Sequence, residues 1–274
     1  MSLYNEHPEY IFRIGVRPEF NYDLADVDIS STELLVGRDT KNIERLQFFS
    51  NLNKLWIESV NQNQFNMILS LVNPKMLYIY DMRVEDLSLL SSLTNVEVLA
   101  LEWNTKATKL WDLSTNTSLR ALSIKDLSKL NDISTLQNNK ILELLDLSGG
   151  DWNPLRLYSL EPLSNLPHLK YLGLSNIKVQ DESLEPISNL KGLQKLEISN
   201  QFPTIEYARL SVSLPHTKCE MFKPYVLFFN SINGKDVMVV GKRKPMLNSK
   251  SDQLKLQKYE EQFKALQNTF KPYK

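Results

Sequence analysis

Apolar residues along the chain recur at every third position and then close on a two-residue step. One run is Leu160, Leu163, Leu166, Leu169, Leu172, Leu174, and the next is Leu184, Ile187, Leu190, Leu193, Leu196, Ile198. The same frame catches Ile43, Leu46, Phe49, Leu52, Leu55, Ile57 and Leu87, Leu90, Leu93, Val96, Leu99, Leu101. Three weaker copies end at Ile79, Ile124 and Leu147, and a degenerate last one runs Ile205, Ala208, Ser211, Leu214, Thr217, Cys219. The closing positions are 57, 79, 101, 124, 147, 174, 198 and 219, so the steps are 22, 22, 23, 23, 27, 24 and 21 residues. The closing pair has period two, which puts both apolar side chains on one face of a short strand. The three-residue spacing before it predicts a 3₁₀ turn or short helix that returns the chain. A single such coil has nothing to bury its apolar edge against, whereas stacked coils share a continuous core.

These residues resemble the leucine-rich-repeat superfamily over roughly positions 43 to 219. The spacing matches its 22-residue type, found in internalins, in the phosphatase regulator SDS22 and in stand-alone bacterial repeat proteins. The resemblance implies an α/β solenoid: a curved leucine-rich-repeat horseshoe with a concave parallel β-sheet and short 3₁₀ or α turns on the convex side. It also implies a protein that binds other proteins. The family's asparagine, three residues after the last strand leucine, is present at Asn104. The equivalent places are Val60, Met82, Leu127, Gly150, Ile177 and Gln201, so its buried asparagine ladder is expected to be mostly missing.

The ends depart from the frame and are expected to cap it, since an uncapped solenoid exposes its core. Residues 1–40 read as an N-terminal cap, with strands around Tyr10, Phe12, Ile14, Val16 and Leu34, Leu35, Val36. Residues 41–222 form the array of about eight coils. Residues 223–274 read as a C-terminal cap. There Tyr225 to Asn230 and Val237 to Val240 flank Asn233-Gly234, a hairpin turn signal. Leu256, Tyr259, Phe263, Leu266 and Phe270 follow at helical spacing, as a lid over the last coil.

Composition is that of a folded protein, with 42% hydrophobic and 23% charged residues. No run approaches the ~18 apolar residues of a membrane span, and the N-terminus lacks the basic start and apolar stretch of a secretory signal. One cysteine, Cys219, excludes an intrachain disulfide, and a cytoplasmic, monomeric chain is expected. The Asn116-Thr117-Ser118 sequon is then an accident of an Asn-rich sequence. Net charge is zero, yet residues 218–274 carry 12 Lys+Arg against 5 Asp+Glu.

Chemistry-bearing patterns are scarce. His168 and His216 take equivalent places two coils apart, which at ~4.8 Å per strand leaves them roughly 10 Å from each other, too far for one metal. His7 is remote in sequence, and Cys219 stands at a core position of its coil. No phosphate loop or dinucleotide fingerprint is present. No enzyme activity, metal or cofactor is expected. The basic cluster Lys242-Arg243-Lys244 lacks interleaved aromatics, so nucleic-acid binding is disfavoured.

The frame also points to a binding face. Residues flanking the closing apolar pair project from the sheet's other side. In the first three coils these are Trp56, Glu58, Met76, Tyr78, Tyr80, Val98 and Glu102, with Trp103 bordering them. Later coils add Lys125, Asp146, Tyr171 and Glu197. An aromatic group on an open face is the composition of a binding hot spot, so a protein partner on the concave face is expected. The competing arrangement has the N-terminal cap folding over these residues. The 27-residue step inserts Gly149-Gly150-Asp151-Trp152-Asn153-Pro154, and Trp152 is either a second candidate contact or a side chain tucked back against the solenoid. Other expectations are an inhibitor or immunity-type protein that occludes a toxin or enzyme, and an acidic-surface or nucleic-acid binder acting through the basic tail.

Overall fold

The computed structural model describes residues 17–271. The expected strands around positions 10–16, and His7, lie outside the described residues. Eight parallel strands form one sheet: β1 (Glu33–Gly37), β2 (Lys54–Asn61), β3 (Met76–Arg83), β4 (Val98–Asn104), β5 (Ala121–Leu127), β6 (Leu144–Ser148), β8 (Tyr171–Ser175) and β10 (Lys195–Ile198). Two short strands, β7 (Leu155–Leu157) and β9 (Ile177–Val179), pair in parallel as a separate ribbon.

The two closing frame positions become two rows in strict register. Leu55, Leu77, Leu99, Leu122, Leu145, Leu172 and Leu196 form one. Ile57, Ile79, Leu101, Ile124, Leu147, Leu174 and Ile198 form the other. All are buried. Each leucine side chain withdrawn from water contributes roughly 2 kcal/mol, so the stack of coils, not any single coil, is the stable unit. The chain is therefore a leucine-rich-repeat solenoid.

Most returns are 3₁₀ turns, at Ile43–Phe48, Ser88–Ser92, Leu113–Thr115, Ser134–Asn138, Glu161–Asn165 and Glu185–Asn189. The three weak copies of the frame have separate physical causes. The coil ending at Ile79 returns through a true α-helix, α1 (Gln62–Leu71), whose buried Phe65, Ile68 and Leu69 follow helical rather than three-residue spacing. A capping box starts it: Asn61 accepts from the Gln64 backbone N–H and Gln64 accepts from that of Asn61, both at 3.1 Å. In the other two coils Asn116 and Asn139 occupy a frame position that is leucine or phenylalanine in the clear copies. Both are buried. The Asn116 amide donates to the carbonyls of Leu90 (2.8 Å) and Leu93 (3.0 Å) in the preceding coil, and its oxygen accepts from the Trp111 indole at 2.7 Å. Asn139 donates in the same way to Asn116 and Leu119. The coils are tied by asparagines after all, on the return side. Asn104 adds the family-type tie, donating to Val84 and accepting from Lys106 and Ala107.

Both ends differ from the frame's boundaries. β1, expected within the cap, is the first rung of the sheet, pairing in parallel with β2. The last coil returns through a helix, α2 (Thr204–Ser213), and reaches the sheet only as a Lys195–Lys218 bridge. Beyond it, β11 (Tyr225–Ile232), β12 (Lys235–Val239) and β13 (Met246–Leu247) make an antiparallel sheet. Its hairpin turns at Asn233 and Gly234, both in the left-handed region that this tight turn requires. The final helix, α3 (Gln253–Thr269), lies on α2. Phe263 is buried, Gln267 donates to Ser211 at 2.8 Å, and Arg209 sits 5.0 Å from the Phe270 ring.

Candidate protein-binding edge

The outer face of the sheet is not the open aromatic surface that the pattern predicts. Trp56 is 1% exposed, Tyr78 3% and Val98 6%. They form a second apolar cluster with Leu35, Ala100, Ala121 and Leu144, and Phe20, Met76, Tyr80 and Tyr171 pack against it. Register explains part of this closure: Trp56 lies between Leu35 and Tyr78, and Tyr78 is followed by the small Ala100. The segment before β1 supplies the rest, since Phe20 reaches the cluster and Arg17 pairs with Glu58. The predicted hot spot is core.

Polar residues of this face are also engaged. The Tyr78 hydroxyl donates to Glu102 at 2.5 Å, and Glu102 in turn holds Lys125 at 2.8 Å, linking three neighbouring strands. Burial, then the bond to Glu102, raises the Tyr78 phenol well above its ordinary range. Its own hydrogen bond to Glu102 raises Lys125. Tyr171 donates to Gln194, and Glu197 pairs with Lys195 at 2.9 Å. Asp146 is half-buried and also engaged. Lys125 remains exposed.

What stays open is the edge where the strands end. Two residues past the last frame position, the backbone turns into the left-handed region at Ser59, Asp81, Trp103, Asp126 and Asn176, with φ of 54°, 55°, 61°, 54° and 48°. Asn and Asp tolerate this conformation and a bulky residue does not, at a cost of about 1–2 kcal/mol. Trp103 is the exception in the row. The residue is 44% exposed, and its ring lies 5.6 Å from the Tyr80 ring.

One coil is built differently at this place. Gly149 occupies the equivalent position, and a Cβ there would meet the backbone oxygens of Asn176 and Asn153 at 2.4 and 2.5 Å. The following loop is pinned: Gly149 donates to Ser175 (3.0 Å), Gly150 to Asn153 (2.9 Å), and the Asn176 side chain to Gly150 (2.7 Å). Trp152 stands at its tip, 93% exposed. β4 carries Trp103 and the loop after β6 carries Trp152; only β5 separates these two strands, so the strand ends are about 10 Å apart. This places two indoles and the exposed Lys125 along one edge.

Other exposed apolar side chains lie on β11, the edge strand of the C-terminal sheet: Leu227, Phe228, Phe229 and Ile232. The hairpin signal predicted the turn, but alternation alone did not reveal that both faces of this strand meet solvent.

Among the described residues no group of three or more histidine, cysteine or acidic side chains is placed to hold a metal ion, and no helix is long and apolar enough to cross a membrane. His168 and His216 are exposed. Burial pushes the Cys219 thiol up to about 12, opposite to what a nucleophilic cysteine needs. Tyr207, whose hydroxyl donates to the Ser199 carbonyl at 2.6 Å, is likewise raised by burial to about 12. Such groups lose protons more readily in the unfolded chain, so their stabilisation holds below the unfolded pKa and is lost as pH rises toward the folded one. Thermal stability should therefore fall between about pH 9 and 12, by up to ~1.4 kcal/mol per pH unit for each group. Thermal melts across that window check it; a midpoint flat to pH 11 would show these groups to be hydrated.

No protein-family model matches the chain, and neither does any curated protein. Among solved structures the chain is similar to an internalin C2 of Listeria monocytogenes at 24% identity. That match covers 63% of this chain and 62% of the internalin, with a TM-score of 0.42. A second Listeria internalin is 18% identical over 69% of this chain and 60% of its own, with a TM-score of 0.47. A leucine-rich-repeat protein of Leptospira interrogans is 18% identical over 63% of this chain and 49% of its own, with a TM-score of 0.42. The chain thus spans about six-tenths of the two internalins and half of the third protein. The likeness is one of fold.

Proposed function

We propose that this chain is a non-catalytic protein-interaction module whose partner docks on the strand-end edge, anchored by Trp152 and Trp103. The observation that carries the reading is the Trp152 indole, almost wholly in solvent on a loop that backbone hydrogen bonds hold rigid. An exposed tryptophan on a pre-ordered loop loses little freedom on binding, and tryptophan is the residue most enriched in interface hot spots. Trp103 supports it from another direction. The chain keeps a bulky residue where four other coils place Ser, Asp or Asn, and strain of this kind gathers at functional positions. A single cysteine goes with a cytoplasmic setting for this module.

Affinity capture with the intact chain, followed by capture with Trp152→Ala, is the test. Loss of the captured protein at unchanged melting temperature is expected. Trp103→Asn sharpens it: this variant relieves the backbone strain, so its stability should be equal to or above that of the native chain, while partner affinity falls. Capture unaffected by both substitutions would contradict the proposal.

A second reading is favoured by β11, an uncharged edge strand with Phe229 fully exposed. Such an edge takes up a partner's strand by backbone pairing. Phe229→Lys would abolish capture under this reading and leave it intact under the first.

A further inference from the structure

A cleft of about 790 Å³ lies between the β7–β9 ribbon and the loop that follows β12, and it shares no residue with the tryptophan edge. The basic cluster after the hairpin delivers Lys242 and Arg243 to one wall. Arg156 and Lys178 come from the other. These two are direct cross-strand partners, Arg156 on β7 in register with Lys178 on β9, and both are exposed. Like charges directly opposite each other destabilise a sheet. Among the described residues no hydrogen bond or ion pair engages the side chain of Arg156, Lys178 or Arg243. The cleft's one carboxylate, Glu182, is taken by Lys242. Exposed Tyr158 stands beside them, while Leu157, Ile177 and Val179 alternate with the two strand cations and are buried on the other face of the ribbon.

Three cations directed at one cavity without a counter-charge form an anion site, and we infer that this cleft binds an acidic peptide segment. Cations on separate elements suit separate carboxylates spaced along an extended chain, and the exposed Tyr158 ring suits an apolar peptide stem between them. Nucleic acid fits less well, because a single aromatic gives no stacking platform.

The test uses the full chain and a fluorescent octaglutamate peptide, with octaglutamine and a single-stranded oligonucleotide as comparators. Octaglutamate should bind with an affinity that falls as salt rises, and octaglutamine should not bind. In the variant with Arg156→Gln, Lys178→Gln and Arg243→Gln, octaglutamate affinity should fall at least tenfold. Thermal stability should hold or rise, because the opposed charges on β7 and β9 are gone. Trp152→Ala should leave octaglutamate binding intact, so failure here and failure of the tryptophan edge are separable. The inference is overturned if octaglutamate does not bind, if the triple variant binds it equally well, or if the oligonucleotide binds more tightly through the same three residues.

Discussion

Replacing Asn116 with alanine should lower unfolding stability by about 4 kcal/mol. The substitution leaves two buried groups without partners, the Leu93 carbonyl and the indole N–H of Trp111, and takes one of two bonds from the Leu90 carbonyl, which keeps the Leu93 N–H. Each orphaned group costs about 1–3 kcal/mol. The loss falls on the contact between neighbouring coils, which carries the stability of a solenoid. Urea unfolding followed by circular dichroism is the measurement. Asn116→Leu, which restores the frame residue, should recover packing but not the hydrogen bonds, and so remain below the native chain. A loss under 1 kcal/mol for the alanine variant would mean that water replaces the amide. The burial of Asn116 also closes its sequon to modification in the folded chain.

The second large effect is expected at Gly149. An alanine Cβ there would stand 2.4 to 2.7 Å from three backbone atoms of Asn176, Asn153 and Leu155. None of these is the flexible end of a side chain, so the backbone itself must move. Overpacking of this kind costs about 1–3 kcal/mol, and rigid backbone neighbours put Gly149→Ala at the upper end. The atoms it strikes belong to the pinned loop and to the Asn176 exit. The variant should therefore also disturb Trp152 and weaken partner capture beyond what its lost stability explains. Hydrogen exchange at the Gly149, Gly150 and Leu155 amides reads this directly; native protection in the variant would contradict it.

Much of the fold was legible because its cause is periodic. The rows from Leu55 to Leu196 and Ile57 to Ile198 follow from a two-residue step that only one sheet face accommodates. The weak coils were harder to read because the pattern counts apolar residues, and Asn116 and Asn139 fill core positions with polar side chains satisfied by the preceding coil. The candidate site was only half legible. Trp103 and Trp152 were located from their places past the strand and in the long step, and both are exposed. Trp56 and Tyr78 were read as open because alternation says which face a side chain takes, not what lies over that face. Phe20 and Arg17 answer that, and nothing in the repeat frame announces them. The cleft was invisible for a similar reason: Arg156, Lys178 and Arg243 are distant in sequence and meet only through the parallel β7–β9 pairing and the path of the cap.

The account turns on whether the exposed tryptophans, rather than the buried aromatic cluster, hold the partner. Titration calorimetry of a captured partner against the native chain and Trp152→Ala decides it most directly. A hot-spot tryptophan contributes at least about 2 kcal/mol, so the dissociation constant should rise about 30-fold or more while the melting temperature stays within a degree or two. A dissociation constant within twofold of native, at equal stability, would contradict the account and move the interface off this edge.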